Sequence, residues 1–222
     1  MTACNILDLE TGDSNLIVSM ARIYGEFDPP PEMRDHPIWF NHVCFNPGDT
    51  RLFFLARFRP SPDAPLNSAM FTVGADGADL RKVVDYGQGV SHFEWRNDVE
   101  ILVTMDLPGG ADRGKGFVLF TDGKDDHHAL GEDLLADGHP CFSPDGRWLL
   151  SDRGPRHNRQ LLRLYDMQTG ELTVLGEYDS DPRFRGDIRC DLHPRWNRTG
   201  DAVCFDSVHE GTRQVYVIDL EI

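Results

Sequence analysis

Apolar residues along this chain gather into short runs separated by polar turns, and none repeats with the 3.6-residue spacing of a long amphipathic helix. Four runs stand out: Arg51 to Arg57, Glu100 to Asp106, Arg147 to Arg153 and Asp201 to Ser207. Each follows a turn rich in Gly, Asp, Asn or Pro, namely Asn46-Pro-Gly-Asp49, Arg96-Asn-Asp98, Ser143-Pro-Asp-Gly146 and Asn197-Arg-Thr-Gly200. Ahead of each turn stands the same four-residue unit, His-x-x-aromatic. It reads His42-Val-Cys-Phe45, His92-Phe-Glu-Trp95, His139-Pro-Cys-Phe142 and His193-Pro-Arg-Trp196, at intervals of 50, 47 and 54 residues. A third strand follows, most clearly at Gln160 to Asp166 and at Arg213 to Asp219.

A module of short antiparallel strands repeated at this period predicts an all-β chain, a β-propeller with four recognisable blades. The blades begin near residues 42, 92, 139 and 193 of one domain covering 1–222. The segment Asn5-Ile-Leu-Asp-Leu-Glu-Thr-Gly12 repeats the pattern of Arg163-Leu-Tyr-Asp-Met-Gln-Thr-Gly170, so residues 3–22 are expected to form the outer part of a further blade. At the other end the third strand runs to Ile222. Open sheet edges are then expected unless something covers them. Two readings follow: the C-terminal part of a seven- or eight-bladed design, acting as a homo-oligomer or with a missing N-terminal half, or a small self-closed ring.

Composition narrows the function classes. The 222 residues are 40% hydrophobic with a mean hydropathy of -0.42, which excludes a disordered tail. No apolar run is long enough to span a bilayer and no secretory signal opens the chain, so a cytoplasmic protein without membrane contact is expected. Cysteines 4, 44, 141, 190 and 204 are odd in number and lack regular pairing, which predicts reduced thiols. With 22 basic against 37 acidic residues the net charge is -15, which argues against a nucleic-acid partner. The segment Arg147 to Arg198 departs from this, with ten arginines against eight acids. Those arginines are either solvated partners of nearby aspartates or a place for an anion.

Because the His-x-x-aromatic unit opens the innermost strand, His42, His92, His139 and His193 should arrive near the mouth of the central channel. Each is either a hydrogen-bonded blade clip or a working group. Company singles out the last two: Cys190 and His193 stand at Cys-x-x-His spacing, and Asp152 ends the strand after His139. Zinc takes about four thiolate, imidazole or carboxylate ligands, so His139, Asp152, Cys190 and His193 form a candidate metal set. Cys44, Cys141 and Cys204 read as small core residues. His127 and His128 read as a solvated loop, His157 and His209 as blade-tip turns.

The Ser143-Pro-Asp-Gly146 turn followed by Arg147-Trp-Leu-Leu resembles the TolB-type propeller repeat. The runs Trp39 to Pro47, Val90 to Trp95, His139 to Gly146 and Arg189 to Trp196, continued by Phe205-Asp-Ser207 and Arg213 to Tyr216, are similar to the propeller polysaccharide lyases, oligogalacturonate lyase and the propeller ulvan lyases. That resemblance implies β-elimination on a uronic-acid-containing oligosaccharide and a bound divalent metal. The lyase's Gln-x-x-His-x-His metal group would here read Cys190-x-x-His193-x-Arg195, and the soft thiolate shifts the preference from manganese to zinc. Such chemistry needs a base, an acid and a positive clamp for the substrate carboxylate. His42 and His92 are the expected base or acid, Arg57 the clamp, and Arg153 and Arg195 further substrate contacts. The other function class is a non-catalytic TolB-type scaffold that binds a protein or peptide.

Overall fold

The computed structural model describes residues 3–107, 114–131, 134–135 and 137–221. It is all-β and of the β-propeller class. Strands β1 (Ala3–Leu7) and β2 (Ser14–Ser19) pair as a hairpin, followed by helix α1 (Met20–Glu26). Next come four meandering antiparallel sheets, each with its strands in sequence order. The first holds β3 (Ile38–Phe45), β4 (Arg51–Phe58), β5 (Asn67–Gly74) and β6 (Arg81–Val84). The second holds β7 (Phe93–Trp95), β8 (Glu100–Asp106), β9 (Lys115–Thr121) and β10 (His127–Ala129). The third holds β11 (Pro140–Phe142), β12 (Trp148–Arg156), β13 (Arg159–Asp166) and β14 (Leu172–Asp179). The fourth holds β15 (Arg195–Trp196), β16 (Ala202–Ser207) and β17 (Gln214–Asp219).

The unbroken apolar runs have a direct structural meaning. In β4, Leu52 through Phe58 are all buried, and β5, β8 and β9 are buried in the same continuous way. A strand covered on both faces has no polar side to alternate with, so its sequence loses the period of two. Strand β17 keeps that period: Tyr216 and Ile218 pack inward, whereas Val215 and Val217 are exposed.

Two compact units divide the chain. One comprises residues 1–90 with 97–100 and 120–126, and the other residues 91–96, 101–119 and 127–222. The first has its core between the β1–β2 hairpin, α1 and one face of the first sheet, where Val18, Ile23, Met33, Phe54 and Phe71 are sealed. Asp122 ties this unit together: its buried carboxylate takes an ion pair from Arg51 at 2.6 Å and the Thr72 hydroxyl at 2.6 Å. In the second unit, Leu150, Leu162, Leu164, Val203 and Phe205 form a core between the third and fourth sheets. Trp196 of the fourth sheet also donates its Nε1–H to the carbonyl of Cys141 in the third, at 3.1 Å.

Three features differ from the sequence reading, the first being Cys44, read as a core residue but exposed. Ser19 caps α1 by accepting the Arg22 N–H at 3.2 Å, an N-cap at the head of a helix of seven residues, too short to show helical periodicity. His127 and His128, read as loop, form β10, an exposed edge strand held by its backbone, which polar side chains do not reveal. Ile222 lies outside the described residues. Among the described residues no helix is long and apolar enough to cross a membrane.

Leu150 is fully buried in the second unit's core. Leu150→Ala should lower its stability by about 3 kcal/mol through lost burial and the cavity left behind; denaturant unfolding measures it.

Candidate functional site

The site is built within the second unit, where three repeats each present a histidine just ahead of the first strand. The rings of His92 and His139 have centroids 4.0 Å apart, and those of His139 and His193 are 3.5 Å apart. Their convergence is organised by Asp152, on β12 and 3% exposed. Asp152 Oδ1 accepts the backbone N–H of His139 at 2.7 Å, and Oδ2 accepts the backbone N–H of His193 at 3.0 Å. The same carboxylate meets His139 Nδ1 at 2.8 Å. A carboxylate accepts only, so the Nδ1 that faces it carries a proton.

Local backbone makes this approach possible. Gly138, immediately before His139, passes so close to Asp152 that a Cβ there would fall on the Asp152 carbonyl oxygen. His193 takes a left-handed φ of 42°, unusual for a residue with a side chain, and its hydrogen bond to Asp152 holds it there. Behind Asp152 lies Arg163, 2% exposed, which donates to the Asp152 carbonyl at 3.1 Å. Burial, with the neighbouring Arg153 charge, pushes the Arg163 guanidinium down to about 10.

The electrostatics favour neutral His92 and His193 rings beside an ionised carboxylate. Burial, then the His139 charge, lowers His92 to about 4, against the opposing pull of Asp137, whose Oδ1 lies 3.4 Å from His92 Nε2. Burial and His139 lower His193 likewise. Burial works against the charge of Asp152, but its hydrogen bonds from His139 and His193 outweigh that and hold the acid below its ordinary range.

A cavity of about 260 Å³ opens beside these groups, walled by His92, Asp137, His139, Asp152, Gln160 and Arg189 among others. Arg189 is the arginine in that wall among the described residues. Asp191 Oδ2 fixes it, accepting from Nε and Nη2, each at 2.7 Å. Sequence reasoning passed over Arg189; its signal was the Arg-x-Asp spacing that lets one side chain brace the other.

The sequence-predicted residues separate as follows. His139, Asp152 and His193 offer ligand atoms within 4.8 Å of one another. Cys190 does not join that group: it is buried, its thiol faces the Asp191 carbonyl at 3.9 Å, and burial raises its pKa. Arg195 is exposed and donates to the Pro194 carbonyl at 2.8 Å. It stands near Glu94, which burial pushes up to about 7, and near Cys141. Glu94, Cys141 and Arg195 each stand two residues after a cluster histidine. Arg153 sits at the base of the β12–β13 hairpin tip. His42 and Arg57 belong to the first unit. Burial and then the Arg57 charge lower His42, while Arg57 is 9% exposed.

No family model matches the chain, and no curated protein matches it by sequence. Solved structures do. An oligogalacturonate lyase in complex with manganese is similar at 18% identity and a TM-score of 0.68, over 97% of this chain and 53% of that one. The oligogalacturonate lyase of Vibrio parahaemolyticus gives 16% identity and 0.68 over 97% and 54%. TolB of Acinetobacter baumannii gives 16% and 0.54 over 97% and 50%. The chain thus spans about half the length of these structures, and the likeness establishes the propeller fold.

Two imidazoles and a carboxylate are donors that both zinc and manganese accept. Asp152 lies on the Nδ1 side of His139, so a metal shared by the two would take the place of the Nδ1 proton. The residues present therefore fit a divalent metal.

Two outcomes test this geometry. Gly138→Ala should destabilise the fold by about 2 kcal/mol or more, whereas Gly154→Ala, which meets open space, should stay within about 0.5 kcal/mol; thermal unfolding compares them. His92 ordinarily titrates at 6.5 and here at about 4, so between those values the unfolded chain binds the proton and the folded one does not. Its contribution is present above pH 6.5 and is lost as pH falls through 4. Melting temperature should therefore drop across that window, and less steeply in His92→Gln.

Proposed function

We propose that this chain is a carbohydrate-processing propeller that acts on uronic-acid-containing oligosaccharides by β-elimination, with a divalent metal beside the imidazole cluster. The observation that supports the reading most is the clustering of His92, His139, His193 and Asp152 beside a cavity that His92, His139, Asp152 and Arg189 line. Neutral nitrogen bases, a buried anion that orients them and a cation for the substrate carboxylate are the groups this reaction requires. The likeness to the oligogalacturonate lyases supports it on the level of fold.

In the proposed reaction a base removes the proton at C5 of the uronate. The electron pair forms the C4–C5 double bond, the C4–O bond breaks, and the leaving oxygen takes a proton. His92, neutral at physiological pH, is the proposed base. Arg189 meets the carboxylate, whose negative charge would otherwise oppose carbanion character at C5. Arg195 and Arg153 are proposed further substrate contacts; within the first unit, taken by itself, His42 is proposed as an acid or base and Arg57 as a carboxylate clamp. His139, Asp152 and His193 would hold the metal, which when bound supplies positive charge toward an anionic ligand. Zinc is the metal proposed from the donor set, with manganese as the alternative.

Incubation of the metal-loaded chain with oligogalacturonate and with ulvan oligosaccharides should release an unsaturated uronate, seen as new ultraviolet absorbance. His139→Ala should lose both bound metal and product. Absence of unsaturated product from both substrates, with metal confirmed in the protein, would sink the proposal.

A further inference from the structure

The basic tip of the β12–β13 hairpin, where Arg153 is proposed as a further substrate contact, lies beyond the groups proposed to meet the reacting sugar. Arg156 pairs with Arg159 across the turn His157-Asn158, both of whose residues have left-handed φ values, 53° and 61°. A two-residue turn of that kind matches the twist of the flanking strands and makes a well-defined tip. Between Arg153 and Arg156 the register shifts across Gly154-Pro155, a bulge that re-aims the side chains on either side of it. The result is a concavity of about 150 Å³ lined by Arg153, Arg156, His157, Arg159, Leu161 and Glu177.

Its charges are not balanced internally. Arg159 is matched by Glu177 and Asp179, each at 3.3 Å. Arg153 and Arg156 form no ion pair with an acidic side chain among the described residues. On a chain of net charge -15, two guanidinium groups without an acidic partner on one tip make a local positive field. The place also adjoins the imidazole cavity, because Gly154 lines both. Leu161 supplies an apolar patch against which the C–H face of a sugar ring can lie.

We infer that this tip is a second sugar subsite, in which Arg153 and Arg156 bind the carboxylate of the uronate residue next to the one held in the imidazole cavity. The inference rests on the proposed reading of that cavity as uronate-binding. It implies that the protein distinguishes oligomers from a single uronate by an added ionic contact, which salt weakens.

Calorimetric titration of the full chain with trigalacturonate, its fully methyl-esterified form and galacturonate monomer tests this. Wild type should bind the trimer more tightly than its ester, and Arg153→Ala with Arg156→Ala should weaken trimer binding about tenfold while leaving the monomer nearly unchanged. Arg183→Ala, whose charge is matched by Asp181, should match wild type for all three. Equal affinity of the double variant and wild type for the trimer overturns the inference, as does equal binding of acid and ester or no trimer binding at all. The two proposals fail separately. Unsaturated product with no effect of the double variant leaves the reaction standing without the subsite. Trimer binding through the arginines without product leaves the subsite standing without the reaction.

Discussion

A carboxylate that has lost nearly all contact with water keeps its charge only where N–H groups replace the water it gave up. Asp152 receives three such groups, two from backbone and one from an imidazole, drawn from the starts of two successive sheets. The same bonds that keep it ionised fix the tautomer of His139, set the left-handed backbone of His193 and bring the two rings within stacking distance. Positioning and charge are therefore one interaction. The buried Arg163, reaching the Asp152 carbonyl from behind, adds a cation whose own desolvation cost is relieved by that contact.

The anion helps set where His139 and His193 sit, while its charge opposes the neutral state of His92 and His193. Burial and mutual proximity drive His92 and His193 toward neutrality, because a stack of three charged rings would repel itself. Neutral nitrogen is what both proton abstraction and metal ligation require, so a single arrangement serves either chemistry.

How much of this was legible in the sequence follows from what each residue responds to. The second and third strands could be read because their side chains answer to burial on both faces: Glu100–Asp106 is predicted at its observed bounds, and Gln160 to Asp166 within one residue of β13. Helix α1 and strand β10 could not, since one runs for only about two turns and the other is a short, exposed edge strand of polar residues. At the site, His139, Asp152 and His193 were accessible because a repeat puts equivalent positions at equivalent places. Cys190 was chosen by spacing to His193, and spacing along a chain does not say which way a thiol points; in the fold it faces the neighbouring carbonyl. Arg189 was missed for the converse reason: its importance comes from the cavity wall, a property of tertiary structure.

The position two residues beyond each cluster histidine bears on how such a module diversifies. There the same backbone slot holds an acid at Glu94, a thiol at Cys141 and a base at Arg195, and these three sense one another's charge. The three repeats thus differ in polarity at this tier while the imidazoles beside it are the same. One codon change at this level can rewrite the potential that a visiting ion or sugar feels, with the scaffold untouched.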